Sequence, residues 1–283
     1  MMTVQVRFYT DPACPWSWAA EPAIRRMMWE FEGELEFIWV MGGLTRSYEQ
    51  ANLLDVVSQW LVDAAEGGMP CDPRIWTENP LTSTYPACQA AKAAAEQGPQ
   101  ASYRYLRTLR EGIMFERRKL DHADALIDAA GRSGIDRARF EVDLRSHAIT
   151  EAFGTDLDEV RSPPEEAREA GAIHRSSKGR ERISFPSALF IGEDGGRHAA
   201  WGNDSVDVEK MRETAQAAGA KAVNRGALEP LDAIKRFGRC ATKELEVLTG
   251  RPRPVVEAEL WALARDWKLK PVPALTGTIW ERA

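Results

Sequence analysis

The segment Asp11-Pro12-Ala13-Cys14-Pro15-Trp16-Ser17-Trp18 carries the residues of this chain best suited to covalent chemistry. Residues 4–9 alternate Val4, Val6 and Phe8 with Gln5, Arg7 and Tyr9, the period of a half-buried strand, and Thr10-Asp11-Pro12 breaks it. Over residues 17–31, Trp18, Ala19, Pro22, Ile24, Met27, Met28 and Phe31 fall near helical spacing, Pro22 is expected to bend the helix, and Gly33 stops it. Cys14 therefore lies between a strand and the start of a helix. Unpaired backbone N–H groups and the positive end of the helix dipole favour a thiolate there, and cysteines so placed titrate at ~3.5–7.5 instead of ~8.5. A thiolate attacks disulfides and electrophiles. Pro15 suits the first helical turn, and Ser17, three residues on, is placed to hydrogen-bond the sulfur. Asp11 and Glu21 would oppose the thiolate by like charge. An inert buried thiol is the competing reading of Cys14, because free cysteine is among the most buried residue types.

The other reactive residues form no second site by spacing. Cys71, Cys88 and Cys240 are far apart in sequence, the four histidines (His122, His147, His174, His198) are scattered, and no pair of cysteines has metal-ligand spacing. No structural zinc and no disulfide scaffold is expected, although Cys71 or Cys88 could pair with each other or with Cys14. The chain has 283 residues, 44% hydrophobic and 28% charged, with a formal net charge of −6. This composition excludes a disordered chain and argues against one built to coat nucleic acid. No apolar run reaches ~18 residues, and the N-terminal Met1-Met2-Thr3-Val4-Gln5-Val6-Arg7 does not read as a signal peptide. A reducing cytoplasm is the simplest compartment.

A strand over 35–41, closed by Gly42-Gly43, completes a strand–helix–strand unit in residues 1–43. Residues 44–182 read as a helical block, with helices over 48–65, 83–97, 100–118, 122–132, 136–146 and 149–160 and a mixed helix and loop over 161–182. Residues 183–222 return to strand character, with a hairpin of 183–191 and 198–201 followed by a helix over 206–218. The tail, 226–283, reads as helices over 228–237, 242–248 and 254–267, then a strand, a turn and a strand over 268–280, the order of a winged helix. Ten Lys/Arg against eight Asp/Glu from Glu229 onward are too balanced for a DNA reader. Trp261, Trp267 and Trp280 are aromatic anchors of the kind that interfaces use, which makes the tail a candidate protein-contact module. Cys240, between tail helices, reads as structural. Trp18 reads as core, and Trp16, beside the thiol, as the wall of a groove. Arg117-Arg118-Lys119 reads as a solvated helix end, or as a holder of glutathione carboxylates.

The string Asp11-Pro12-x-Cys14-Pro15-Trp16-x-Trp18 resembles the DsbA/FrnE branch of the thioredoxin superfamily. The helical block matches that branch's insertion. Phe115-Glu116-Arg117 and Leu126…Gly134-Ile135-Asp136 resemble its internal pattern, and Phe185-Pro186-Ser187 resembles the cis-proline loop facing the active cysteine. The resemblance covers about residues 3–220. It implies an α/β thioredoxin fold interrupted by an all-helical insertion, a cis bond before Pro186, and a Phe185 backbone free to pair with an extended peptide.

One departure qualifies the activity: the motif here is Cys14-Pro15-Trp16-Ser17, without the second cysteine of Cys-x-x-Cys. The resemblance then implies a thiol–disulfide oxidoreductase acting through one thiol. Cys14 would be the nucleophile, Ser17 the thiolate's partner, and Pro15, Trp16, Phe185 and Pro186 the substrate groove. The substrate would be a protein thiol or disulfide, with no bound cofactor or metal and glutathione as a candidate co-substrate. The chain also resembles the bacterial ClpXP adaptor group, which joins a DsbA-like domain to a small C-terminal domain and implies a non-catalytic adaptor holding a partner protein with groove and tail. The third resemblance is to glutathione-dependent 2-hydroxychromene-2-carboxylate isomerases and kappa-class glutathione transferases, which place Ser where Cys14 stands.

Overall fold

The computed structural model describes residues 3–49, 51–176, 179–223 and 226–283. Met1 and Met2, included in the reading of the N-terminus, and Ser177 and Lys178, included in the 161–182 stretch, lie outside the described residues.

The alternating residues form strand β1 (Val4–Thr10), buried on one face at first and on both faces from Phe8 onward. The expected single helix is two: α1 (Pro15–Ala19) and α2 (Glu21–Glu30). Pro15 occupies the first turn of α1 and Pro22 that of α2. Pro22 has no N–H to continue the ladder of α1, so the helix is interrupted at Ala20. Strand β2 (Leu35–Met41) runs parallel to β1, with Val4 opposite Leu35 and Thr10 opposite Met41.

The insertion contains α3 (Leu53–Gly67), α4 (Ile75–Glu78), α5 (Tyr85–Ala95), α6 (Pro99–Met114), α7 (Ala123–Arg132), α8 (Arg137–Leu144), α9 (His147–Val160) and α10 (Glu165–Glu169). Of these, α5, α6 and α9 contact β2. The stretch read as helix and loop also holds a small hairpin, β3 (Ile173–Arg175) with β4 (Glu181–Ile183). The strand expected over 183–191 is therefore split: residues up to Ile183 pair with β3, and only β5 (Ser187–Ile191) joins the main sheet. Pro186 stands at the break, where a residue without an N–H cannot continue a ladder. Strand β6 (Arg197–Ala200) closes the hairpin, and α11 (Val208–Ala217) packs against α2. The main sheet has the order β2-β1-β5-β6. The result is a mixed α/β thioredoxin-like fold with a helical insertion.

The tail contains α12 (Pro230–Phe237), β7 (Cys240–Ala241), α13 (Thr242–Thr249), α14 (Arg253–Arg265), β8 (Leu269–Ala274) and β9 (Gly277–Arg282), with sheet order β7-β9-β8. It has its own apolar cluster, including Leu245, Leu248, Leu260 and Trp280. Trp280 is a core residue at 1% exposure, which removes it from the interface anchors. Its indole N–H donates to Thr242 Oγ1 at 3.0 Å. Trp261 and Trp267 are exposed.

Buried charge fastens the tail to the body. Arg107 of α6 meets Glu244 of α13 at 2.7 Å and Glu21 of α2 at 3.2 Å. Arg25 meets the same Glu244 at 3.1 Å and donates to the carbonyl of Arg239 at 2.9 Å. Arg110 pairs with Glu21. Burial alone would raise the Glu21 carboxyl, but Arg110, Arg107 and Arg25 hold it down at about 2. Cys240 lies in this contact, 3.0 Å from Arg25 Nη1, with its thiol pushed up to about 12 chiefly by burial. No helix of the described residues is long and apolar enough to cross a membrane.

Candidate functional site

Cys14 is the N-cap of α1, in extended conformation, and its carbonyl accepts the N–H of Trp18 at 3.0 Å. Asp11 shapes the approach. Its Oδ1 accepts the Ala13 N–H at 2.8 Å, and its Oδ2 accepts the Leu44 N–H at 2.6 Å, the Thr84 hydroxyl at 2.8 Å and the Cys88 thiol at 3.3 Å. One carboxylate thus ties the Cys14 loop to the loop after β2 and to the start of α5. Burial raises the Asp11 carboxyl, and these donors oppose the rise.

Cys14 itself is buried, within an apolar cluster that includes Tyr9, Val40, Ile183, Phe185 and Leu189. Its thiol donates to the carbonyl of Phe185 at 3.9 Å. The Phe185–Pro186 bond is cis, as the resemblance implied. Where the helix start was expected to lower the Cys14 thiol, burial pushes it above the ordinary cysteine value, and Asp11 adds to the rise. The Ser17 hydroxyl and N–H, together with Arg182, pull the other way without winning. The N–H of Ser17 occupies the third helical position, where an N-cap group normally accepts. The hydroxyl of Ser17 is buried beside the sulfur and makes no other hydrogen bond among the described residues. Two features missing from the sequence argument account for the reversal. The helix behind Cys14 is only five residues long, and the apolar cluster around the sulfur buries it.

Of the remaining predicted groove residues, Trp16 and Pro15 are half-buried, Trp16 packs against the Cys14 cluster, and Pro186 is buried. Phe185 is buried over the backbone of Gly42, where an added Cβ would come within 1.7 Å of the Phe185 ring. Trp18 is core, with its indole N–H on the carbonyl of Pro70 at 2.8 Å and Arg107 over its ring at 4.3 Å. Arg117, Arg118 and Lys119 are engaged with Asp72, Glu78, Asp128 and Asp121. Glu21 belongs to the body–tail contact rather than to the thiol. All four cysteines are free and buried.

Two residues of the site escaped sequence reasoning. Gly42 had a visible signal, the Gly-Gly pair ending the second strand, but not its reason. Arg182 had none: only the folded chain lays its guanidinium over the Phe185 ring, 4.1 Å from the centroid, within electrostatic reach of Cys14. Among the described residues no cluster of His, Cys, Asp or Glu could hold a metal ion.

This arrangement is similar to known proteins in two ways. The "ClpXP adapter protein SpxH" of Halalkalibacterium halodurans is 25% identical across 98% of this chain and 88% of its own length. Among solved structures, a "putative protein disulfide isomerase" from Nitrosomonas europaea aligns with TM-score 0.60 at 15% identity, covering 76% of this chain and 97% of that one. The "cytosolic disulfide reductase DsbM" from Pseudomonas aeruginosa aligns with TM-score 0.57 at 16% identity, covering 75% and 97%. The family model described as thioredoxin matches residues 8–161, and the chain belongs to the thioredoxin family, here with a helical insertion in the fold.

Proposed function

We propose that this chain is a cytoplasmic protein adaptor that holds a partner with the groove around Phe185 and Pro186 and with its C-terminal tail, in the manner of a ClpXP adaptor. The observation that carries this reading is coverage. The similarity to a protein named as a ClpXP adapter runs through 98% of the chain, tail included, whereas the two solved disulfide enzymes cover 76% and 75%. The order of helices and strands in the tail supports a winged-helix-like module, fixed to the body by Glu244 and exposing Trp261 and Trp267. The chemistry of the motif supports the same reading. Cys14 is buried, its thiol is raised, and no second cysteine stands at position 17 to release a mixed disulfide.

Binding of ClpXP to the immobilised chain, measured by interferometry, tests the proposal. The native chain and Cys14→Ser should bind alike, and neither should reduce insulin disulfides. Failure to bind ClpXP would sink the adaptor reading.

One observation favours a second reading, thiol–disulfide exchange through Cys14 with glutathione as co-substrate. The buried Ser17 hydroxyl and the Arg182 cation both stand ready to stabilise a thiolate. Disulfide turnover that disappears in Cys14→Ser would establish it.

A further inference from the structure

Arg182 sits in β4 opposite His174, three residues before Phe185. Its one hydrogen bond is from Nη1 to the carbonyl of Ile183 at 2.9 Å, and its guanidinium lies on the Phe185 ring at 4.1 Å. Among the described residues no carboxylate lies within ion-pair distance of it. The nearby acids are already occupied. Glu181, its neighbour in sequence, pairs with Arg168 and Arg175. The Asp11 oxygens accept four donors. Cys14 contributes no fixed negative charge, because its thiol is raised. His174, across the hairpin, is pulled below the ordinary histidine value by burial and by Arg182, and a histidine offers a guanidinium no counter-charge in either form. The Arg182 guanidinium is half-buried; burial pulls it below the ordinary arginine value, Cys14 and Asp11 oppose that, and no carboxylate of the described residues pairs with it directly. The geometry there is specific: a planar donor fork held over the face of an aromatic ring, beside the loop where an extended peptide would lie.

We infer that Arg182 is the carboxylate-reading residue of the groove, taking an acidic side chain of the protein segment that lies against Phe185. This rests on the adaptor reading of the groove and adds the chemistry of its ligand. An arginine fork accepts a carboxylate through two parallel hydrogen bonds, and the Phe185 face holds the fork in plane. An incoming acid would provide the counter-charge that the chain itself lacks.

The test selects random peptides displayed on phage against the full chain, using Phe185→Ala to discard peptides that bind elsewhere. The enriched sequences should share an Asp or Glu at one position. A labelled synthetic peptide and its Asn or Gln counterpart are then compared by fluorescence anisotropy. The acidic peptide should bind about 10- to 100-fold more tightly, the range for a hydrogen-bonded charge. Arg182→Gln should erase that difference while leaving the Asn or Gln peptide unaffected, and Arg182→Lys should keep part of it. Peptides that need Phe185 but show no acidic preference would overturn this inference and leave the groove reading standing. No Phe185-dependent peptides would overturn both. Glutathione displacing the peptide from the native chain but not from Arg182→Gln would assign the carboxylate to a small thiol, which also overturns the inference.

Discussion

Two buried polar regions of this molecule have opposite balances. At the body–tail contact, Glu21 and Glu244 face Arg25, Arg107 and Arg110, so each buried charge meets an opposite one. At the groove, the Arg182 cation meets a raised thiol, and the Ser17 hydroxyl has no partner but that thiol among the described residues. In the first region each of these charges has an opposite partner within the chain, although the Arg110 Nε–H makes no hydrogen bond, and the region acts as a fastening. The second is incomplete within the chain, and that is the character of a place where something else binds. Burial of charge is therefore not by itself a sign of function here; the lack of an internal partner is.

The largest effect should come from breaking the fastening. Glu244→Ala removes the carboxylate shared by Arg25 and Arg107 and leaves the buried Arg25 without its ion-pair partner, while Arg107 keeps Glu21 and Glu111, a change that costs about 3–5 kcal/mol. Urea unfolding should show the loss, and limited proteolysis should open the connection near Gly226. An unchanged midpoint would mean that the apolar cluster of the tail, and not its ion pairs, holds it in place.

A smaller effect is expected from overfilling the groove. Gly42→Ala forces the Phe185 ring aside and should cost about 1–3 kcal/mol, with loss of groove-dependent binding. Retention of both stability and binding would show that Phe185 can move without consequence.

The two regions should also separate on acidification. Glu21 has a folded value near 2 against an ordinary 4.5, so its contribution is present above pH 4.5 and lost as pH falls toward 2. Asp11 is raised in the folded state, so acidification through the carboxylate range favours the fold at that site. Unfolding free energy measured from pH 6 downward should fall in the native chain. Glu21→Gln should flatten that fall, and an unaltered slope in this variant would refute the assignment.

The smallest structural effect belongs to Cys14→Ser, because the thiol makes one long hydrogen bond. The raised thiol predicts slow iodoacetamide labelling at pH 8, below that of free cysteine, and labelling that rises only above the ordinary thiol range. Mass mapping of the labelled peptide isolates Cys14 from Cys71, Cys88 and Cys240. Rapid labelling at pH 7 would restore the activated-thiolate reading.

Much of the architecture was legible locally. The alternation of Val4, Val6 and Phe8, the helical spacing through Phe31, the Gly42-Gly43 stop and the tail's helix order all appear close to where they were read. These signals work because strand period, proline and glycine act over a few residues of backbone. The boundaries moved where proline intervened, at Pro22 and Pro186, because a missing N–H ends a ladder whatever the side-chain pattern says.

The amino-acid sequence by itself determined the strand–Cys14–helix junction, the helical block and the separate tail, and the cis bond before Pro186 followed only from the family resemblance. Only the tertiary structure buries the Cys14 sulfur, against Phe185 and Ile183, more than a hundred residues away in the chain. It likewise decided that Trp280 is core, that Glu21 serves the tail rather than the thiol, and that Arg182 has no directly paired carboxylate among the described residues. Desolvation and charge pairing depend on distance in space, and no local pattern of residue types encodes that distance.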